Sequence, residues 1–387
     1  MILSVLHLLA IFGALVSTGY YLTATVTALI FARRSKKPLP ELPKIAPRVA
    51  VLKPLHGESP FLLQNAVSFL ESRYPRCEFV FGVTNYSDKA CEVPVSLKPR
   101  YQFANISLSV GEAPDASNRK IAKVLKMMER VPNTEVLVLS DDDIEVDQDY
   151  LRTIVAELYE NERTGIVTCA YRARPGATVG SWFESMSINT DFAPMVLLSE
   201  AFEPLQHAFG ATIAIRRKVL DEIGGFAAIK EMMADDYFLG KLVRERGYDV
   251  KLSRKIVTIN ADEDGFGEFF NHQVRWARTY RNVRPLSTGT ILTHGPFWAL
   301  AVLATGALSP ASIALCLGLI GVRIGMSAVV LSKVLKLPKL LSDIFMVPIK
   351  DLVMTGVWFA SFATNSVEWR GRRFRVRHNG TMEEVEA

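Results

Sequence analysis

Cysteine is scarce in this 387-residue sequence, and the four cysteines stand far apart from one another. They lack the short, paired spacing that a zinc site requires, so the sequence excludes a zinc-binding module. The sequence also has no internal repeat and no low-complexity segment. A repeat architecture is therefore excluded as well.

Charged side chains are absent from one long stretch near the N-terminus, residues 5–31. At about 1.5 Å per residue, a helix of this length crosses the roughly 30 Å of hydrocarbon in a bilayer. A cleaved signal peptide is the alternative, but it would carry a basic residue before a shorter apolar core. We therefore predict an N-terminal transmembrane helix over residues 1–32.

Basic residues follow this span instead, and they predict its orientation. The positive-inside bias places residues 33–37, which contain four of them, and the domain that follows in the cytoplasm. Reduced thiols are expected there, at Cys77, Cys91 and Cys169. The net charge of +5 includes five arginines between residues 370 and 377, which suits an anionic leaflet better than nucleic acid. We expect no nucleic-acid partner.

Short β-branched runs alternate with longer amphipathic ones between residues 47 and 290, which predicts an α/β domain with a largely parallel sheet. Strands are predicted at 49–52, 79–83, 106–110, 136–139, 166–169 and 212–215. Helices are predicted at 61–71, 118–130, 148–159 and 236–246. We assign residues 45–290 to this cytoplasmic domain, including a helix at the membrane interface over 267–284.

Apolar segments return near residues 291–308, 311–331 and 340–363. Three full crossings would place the arginine-rich tail outside, against the positive-inside bias. The third segment contains Pro348, Lys350 and Asp351 near its middle, where an isolated charge is costly. We therefore predict two spans and one re-entrant or interfacial element over residues 291–363, followed by a basic cytoplasmic tail over 364–387.

Three consecutive aspartates, Asp141, Asp142 and Asp143, end a strongly apolar run where a parallel strand should stop. In open α/β sheets, ligands bind beyond the carboxyl ends of the strands. Two aspartates two positions apart can face one hard cation of the magnesium or manganese type. A solvated acidic turn is the alternative, and the buried-type strand before it favours the binding site.

Further acidic residues occur at other predicted element ends. Asp235 and Asp236 precede a helical pattern, where either could simply cap the helix. Asp88 follows the predicted strand at 79–83 and would also lie at a strand's carboxyl end. Alone, each of these residues indicates little.

One predicted helical face carries His272, Arg275 and Trp276, at positions i, i+3 and i+4. An imidazole, a guanidinium and an indole together suit a substrate site. The alternative is a surface helix at the membrane interface, with arginine near phosphate and tryptophan at the headgroup level. Both interpretations hold together if the substrate is a lipid.

Together these features resemble the ceramide glucosyltransferase family, within the inverting GT-A glycosyltransferases. That group has three spaced aspartates followed by Q/R-x-x-R-W. The resemblance covers nearly the whole chain, and the matching segments are LKPLHG at 52–57, NRK at 118–120, ADDYF at 234–238 and WRGRRF at 369–374.

The resemblance implies a GT-A (Rossmann-like) domain flanked by an N-terminal transmembrane helix and C-terminal membrane helices. Asp88 resembles the first aspartate, which contacts the nucleotide, and Asp141 resembles the second. Asp143 would complete a metal-binding D-x-D with Asp141, holding Mg²⁺ or Mn²⁺. Asp236 resembles the third aspartate, the general base.

Basic and aromatic residues complete the implied nucleotide-sugar site. Arg275 and Trp276 occupy the last two positions of the R-W motif. His272 stands at its first position, where the family has glutamine or arginine, and its imidazole can still donate a hydrogen bond. Lys120 and Arg275 are expected to assist the departing diphosphate.

The implied activity is inverting transfer of one hexose, glucose or N-acetylglucosamine, from a UDP-sugar to the hydroxyl of a membrane lipid. The segments FGATIA at 209–214 and HQVRWART at 272–279 look like the bacterial branch associated with hopanoids, which glycosylates bacteriohopanetetrol. Ceramide remains an open acceptor. We expect a bacterial inner-membrane protein whose catalytic domain faces the cytoplasm.

Two other classes of function remain as alternatives. A processive membrane polysaccharide synthase shares the aspartates and the R-W motif, but its polymer needs a channel of several packed helices, more than this chain predicts. A non-enzymatic membrane-anchored binding protein could retain the α/β domain without turnover. The complete set of aspartates argues against the second alternative.

Overall fold

The structure is a computed structural model that describes residues 2–263, 265–306, 308–364, 366–369, 372–377 and 380–384. The chain forms two compact units. We call Lys37–Gly176, Phe202–Asp262 and Gly380–Ala387 the sheet unit. Met1–Lys36, Ala177–Ala201 and Glu263–Asn379 form the helical unit.

Eight strands form one sheet in the sheet unit. They are β1 Val49–Pro54, β2 Cys77–Val83, β3 Asn105–Val110, β4 Val136–Ser140, β5 Ile144–Glu145, β6 Thr164–Pro175, β7 Thr212–Arg216 and β8 Asp249–Ala261. Their order is β3-β2-β1-β4-β7-β6-β8-β5. Six strands run in one direction, whereas β5 and β7 run against them. The prediction of a largely parallel α/β sheet is confirmed.

Helices connect these strands, and each of the four predicted helices is present with both ends within two residues of the predicted positions. With numbering in chain order along the whole sequence, the α-helices of the sheet unit are α2 Leu62–Leu70, α3 Glu92–Leu97, α4 Arg119–Met128, α5 Tyr150–Tyr159, α8 Arg217–Glu222 and α9 Asp235–Glu245. The six predicted strands are also present. The 13-residue strand β8 was not predicted, because its charged residues interrupt the apolar pattern.

The strand order of the sheet reverses between β1 and β4. These two strands are parallel neighbours, and β2 and β3 lie beyond β1 while β7, β6 and β8 lie beyond β4. Both strands are fully buried, as their runs of valine, leucine and alanine predict. At such a reversal the loops after the two strands diverge and leave a crevice in which ligands bind.

The helical unit contains α1 Ile2–Arg34, α6 Val179–Ser187, α7 Ala193–Phe202, α10 Phe266–Val283, α11 Gly295–Thr305, α12 Pro310–Val329 and α13 Val347–Ala360. Strands β9 Ser366–Trp369 and β10 Arg372–Val376 pair antiparallel, and β11 is Met382–Glu384 of the sheet unit. In the described residues, two helices are long and apolar enough to cross a membrane, Ile2–Arg34 and Pro310–Val334. The 11 residues of α11 and the 14 of α13 are fewer than the roughly 20 that a span needs. The number of crossings stays a prediction.

The charges in the third C-terminal segment are not isolated. Arg323 of α12 lies 2.7 Å from Asp351 and 2.6 Å from Asp191. Lys350 lies 2.6 Å from Asp351 and 2.5 Å from Asp191. Two cations therefore neutralise two anions inside the helical unit, and the cost of burying a lone charge does not apply. The re-entrant element stays a prediction, without this argument in its favour.

Candidate active site

Acidic side chains from separate elements gather at the sheet edge where the parallel strands end. Residues 141–143, which we call the aspartate turn, follow β4. Asp88 follows β2, Asp262 follows β8, and α9 begins at Asp235. The peptide N–H of His56, after β1, donates to Asp142 at 3.2 Å, which ties the loop after β1 to the aspartate turn. This is the edge that the position of the aspartates in the sequence predicts.

Gly210, just before β7, marks the point on which two of the predicted aspartates converge. A Cβ atom at Gly210 would lie 3.2 Å from Asp236 Oδ2 and 3.7 Å from Asp141 Oδ2. The carbonyl of Ala211 accepts a hydrogen bond from the Asp141 peptide N–H at 3.3 Å, which holds the aspartate turn beside this segment. Asp141 and Asp236, 95 positions apart in the sequence numbering, therefore face one small space.

Lys120 joins the same group through two ion pairs. Its Nζ lies 2.7 Å from Asp141 Oδ1 and 3.1 Å from Asp235 Oδ2. The side chain of Asn118 caps α4 by accepting from the N–H groups of Lys120 and Ile121, which begins the helix directly before the lysine. Burial acts to lower the pKa of Lys120, but Asp141 and Asp235 outweigh it and raise the pKa. Lys120 is therefore a permanent cation at neutral pH.

Asp143 has the electrostatic character of a metal ligand. Its Oδ1 atom is buried and accepts no hydrogen bond from the part of the chain that the structure describes. Burial, together with Asp141 and Asp142, raises the pKa of Asp143 from 3.8 to about 8. A buried carboxylate oxygen without a donor is costly unless a cation satisfies it. Asp143 and Asp141 thus offer the oxygen ligands that a hard divalent cation prefers.

Lys53 supports the aspartate turn from beneath. Its buried Nζ donates to the Asp141 carbonyl oxygen at 2.6 Å and lies 4.2 Å from the centre of the Phe69 ring. Burial lowers the pKa of Lys53 to about 8, although the nearby aspartates act to raise it. This lysine thus places a positive charge close to the three carboxylates of residues 141–143.

Asp236 is a carboxylate whose pKa lies near neutrality. Its Oδ1 accepts a hydrogen bond from the Tyr237 N–H at 2.8 Å. Burial, followed by the charge of Asp235, raises the pKa of Asp236 from 3.8 to about 7. A general base works best when its pKa lies near the working pH, and Asp236 meets this condition.

Asp88 holds the loop that follows β1. Its Oδ1 accepts from the N–H groups of Gly57 at 2.9 Å and Ala90 at 3.0 Å, and its Oδ2 lies 3.4 Å from His56 Nδ1. Gly57 adopts a φ of +68°, a conformation that favours glycine. Asp88 therefore shapes the LKPLHG segment, and its contact with the nucleotide stays a prediction.

His272, Arg275 and Trp276 lie together on α10 and belong to the helical unit. The rings of His272 and Trp276 meet edge to face with their centres 4.8 Å apart. His272 also groups with Glu184 and Glu263, and one potential ligand atom from each lies within 4.8 Å of the others. The proposed contacts of these three α10 residues with a substrate stay predictions.

The sequence profile of glycosyl transferase family 21 matches residues 9–382. This chain belongs to glycosyl transferase family 21. Among its relatives, ceramide glucosyltransferases 3 and 1 of Caenorhabditis elegans are 24% and 25% identical over 232 residues, which is 60% of this chain. The matched region is 50% and 49% of those proteins, so this family 21 chain spans about half the length of these relatives. The resemblance that the motifs indicated is confirmed.

A solved structure also shares the fold. The mannosyltransferase PcManGT from Pyrobaculum calidifontis, solved in complex with GDP-Man and Mn²⁺, superposes with a TM-score of 0.50 and 16% identity. The match covers 91% of this chain and 99% of that one. Together with the sheet topology, it confirms a GT-A-like α/β fold for this family 21 chain.

Several residues of the site were not predicted from the sequence. Lys53 lies inside the quoted LKPLHG segment, but nothing in a linear motif shows that its ammonium reaches the Asp141 carbonyl. Asp262 contributes charge beside Asp143 and accepts a hydrogen bond from Ser59 at 2.8 Å. It follows β8, so recognising the run VTINA at 257–261 as a strand would have indicated it.

Proposed function

We propose that this chain catalyses inverting transfer of one hexose, glucose or N-acetylglucosamine, from a UDP-sugar to the hydroxyl of a membrane lipid. The acceptor is ceramide or a hopanoid of the bacteriohopanetetrol type. The observation that carries the proposal is the convergence of Asp141 and Asp236 on Gly210, beside the unsatisfied Oδ1 of Asp143. Membership of family 21 and the named relatives support the same reaction class.

Asp236 acts as the general base in this proposal. It accepts the proton of the lipid hydroxyl while the hydroxyl oxygen forms a bond to the anomeric carbon. The bond from that carbon to the diphosphate oxygen breaks, and the departing UDP keeps the electron pair. Because a single displacement occurs at the anomeric carbon, its configuration inverts.

Asp143 and Asp141 would hold a divalent cation, Mg²⁺ or Mn²⁺. The cation supplies positive charge to the oxygens of the departing diphosphate when it is bound. Lys120 lies 2.7 Å from Asp141 and can exchange this contact for a phosphate oxygen. Asp88, His272, Arg275 and Trp276 complete the nucleotide-sugar site in this proposal.

The lipid acceptor implies a location at a membrane. We propose that residues 1–32 and parts of 291–363 embed the chain in a bacterial inner membrane, with residues 45–290 facing the cytoplasm. Support comes from the two long apolar helices, Ile2–Arg34 and Pro310–Val334. The basic residues Arg33 and Arg34 at the end of the first helix agree with that orientation.

One experiment tests reaction, donor and acceptor together. The purified protein is incubated with UDP-glucose, UDP-N-acetylglucosamine or UDP-glucuronate and with ceramide or bacteriohopanetetrol, and the lipid products are weighed by mass spectrometry. We expect a lipid that has gained a single hexose. A long polysaccharide product would identify a processive synthase instead. If none of the donors is consumed, the result would indicate a binding protein without enzymatic activity.

Two variants connect this reaction to the site. Asp236→Asn should lose roughly two or more orders of magnitude in turnover while still binding UDP, because only the base is removed. Asp115→Asn is the matched control, since Asp115 is an exposed aspartate of the same unit. In the wild type, kcat/KM should fall as the pH drops through about 7, since protonation of Asp236 removes the base. Near-normal turnover of Asp236→Asn would show that Asp236 is not the general base.

A further inference from the structure

One ammonium group links two carboxylates inside the sheet unit. Nζ of Lys120 lies 2.7 Å from Asp141 Oδ1 and 3.1 Å from Asp235 Oδ2. The side chains of Lys120 and Asp235 are only 14% and 13% exposed, whereas that of Asp141 is 35% exposed. Lys120 and Asp235 are therefore largely enclosed, while Asp141 keeps a side that a ligand can reach.

Hydrogen bonds of the backbone fix the position of Lys120. Asn118, the buried residue directly before α4, donates its peptide N–H to the Lys230 carbonyl oxygen at 2.9 Å. Its side-chain amide donates to the Met232 carbonyl oxygen at 2.8 Å. These two bonds fasten the start of α4 to the segment that leads into α9, and α9 begins at Asp235. The ion pair between Lys120 and Asp235 therefore follows from how the two helix starts are joined.

Asp235 depends on this ammonium for its countercharge. Its Oδ2 atom is buried and accepts no hydrogen bond of normal geometry from the described residues. A buried carboxylate oxygen in this situation needs a cation close by, and Lys120 supplies one. An ammonium has three N–H donors. Lys120 can therefore keep Asp235 as a partner while another anion takes the place of Asp141.

Asp141 is also one of the two carboxylates proposed to hold the divalent cation. Its Oδ1 contacts Lys120, and its Oδ2 lies on the side of Gly210, 3.7 Å from where a Cβ atom would stand. A cation that binds Oδ1 must displace the ammonium, and a cation that binds Oδ2 leaves two positive groups on one carboxylate. In both cases like charges oppose each other at short distance. Lys120 therefore lowers the affinity of Asp141 for a metal ion.

We propose that Lys120 competes with the divalent cation for Asp141, and that a diphosphate converts this competition into joint binding. This inference rests on the proposed function. A diphosphate carries anionic oxygens on both of its phosphoryl groups, so some of them can meet the divalent cation while others accept from Lys120. An anion between two cations replaces their repulsion by two attractions. Metal and nucleotide therefore favour each other's binding, and this coupling is reciprocal.

A purely structural ion pair is the competing explanation for the position of Lys120. In that case Lys120 only neutralises Asp235, and its loss would loosen the site and weaken the binding of every ligand. The two explanations predict opposite signs for the metal. If Lys120 competes for Asp141, removing its charge strengthens metal binding and weakens nucleotide binding.

Binding of Mn²⁺ without nucleotide is the first test, measured on the full-length protein by electron paramagnetic resonance of the free ion. Lys120→Gln keeps N–H donors for both carboxylates but loses the charge, so its Kd for Mn²⁺ should be about tenfold lower than that of the wild type. Lys120→Arg keeps the charge and should stay within about twofold of the wild type. Lys126→Gln is the matched control, because Lys126 lies on the same helix and pairs with Glu129. Unchanged or weaker Mn²⁺ binding by Lys120→Gln would overturn the proposal.

Binding of UDP in the presence of EDTA, measured by calorimetry, is the second test. The Kd of Lys120→Gln for UDP should be about tenfold higher than that of the wild type, because the diphosphate loses a charged donor. Lys126→Gln should bind UDP as the wild type does. If Lys120→Gln binds UDP normally, the ammonium does not reach the diphosphate and the proposal is wrong.

An Asp235→Asn background provides the same test if Lys120→Gln alone does not fold, because Asp235 then has no charge to neutralise. Adding Lys120→Gln to Asp235→Asn should again lower the Kd for Mn²⁺ about tenfold. Equal Mn²⁺ affinities of the single and double variants would refute the inference. A wild type that binds Mn²⁺ and UDP but forms no glycolipid would instead refute the proposed function.

Discussion

Replacing Asp236 by asparagine should stabilise the folded protein at neutral and alkaline pH while it removes activity. Burial and the neighbouring Asp235 raise the pKa of Asp236 from 3.8 to about 7. The folded state therefore holds this proton over a pH range in which the unfolded chain has already released it. Stability falls as the pH rises through that range, because the folded state binds more protons than the unfolded state.

The magnitude follows from the size of this shift. One pKa unit corresponds to about 1.4 kcal/mol, so ionising Asp236 in the folded protein costs on the order of 4 kcal/mol more than in the unfolded chain. Asp236 keeps partial contact with solvent, which weakens the effect. We therefore expect asparagine to stabilise the protein by about 2 kcal/mol above pH 7.

Thermal unfolding in detergent, with EDTA present, measures this difference. The melting temperature of Asp236→Asn should exceed that of the wild type by a few degrees at pH 8, and the gap should close toward pH 4. Asp115→Asn should follow the wild type at every pH, because this aspartate is exposed. If Asp236→Asn is less stable than the wild type at pH 8, the charge of Asp236 stabilises the fold and the reasoning is refuted.

Three further predictions test other parts of the molecule. Gly210→Ala should lower turnover about ten- to a hundredfold at an unchanged melting temperature, because the added methyl group displaces the proposed base. Gly289→Ala is the control: a Cβ atom at Gly289 meets no described atom within 4 Å, so this variant should keep normal turnover and a normal melting temperature. Mn²⁺ should raise the melting temperature of the wild type but not that of Asp143→Asn; an equal rise in both would contradict the metal assignment. Arg323→Met should cost about 3–5 kcal/mol of stability in thermal unfolding, much of it recovered by adding Asp351→Leu, and a harmless single substitution would show that the buried ion pair is not needed.

Local sequence patterns were sufficient to predict most strands and helices of the sheet unit. Buried strands such as β1 and β4 are short runs rich in valine, leucine and alanine, so residues that are neighbours in the sequence indicate both the strand and where it ends. The position of residues 141–143 at the end of such a run indicated the edge at which the site lies. Strand β8 was missed because six of its 13 residues are not fully buried and its charged residues interrupt the apolar pattern.

Contacts between distant parts of the chain could not be predicted in this way. Lys350 and Asp351 were interpreted as isolated charges, because Asp191, which pairs with Lys350, and Arg323, which pairs with Asp351, are 28 or more positions away. The pairing depends on how α12 and α13 pack together within the helical unit. Linear sequence contains no direct record of that packing.

The sequence by itself determined the family, the α/β class and the sheet edge that holds the aspartates, because each of these depends on local periodicity or on motifs in order. Only the tertiary structure decided that Asp141 and Asp236 converge on Gly210, that Lys120 joins Asp141 to Asp235, and that Oδ1 of Asp143 is left without a donor. Burial and the distances between charges set these properties. Both arise when distant segments pack against one another.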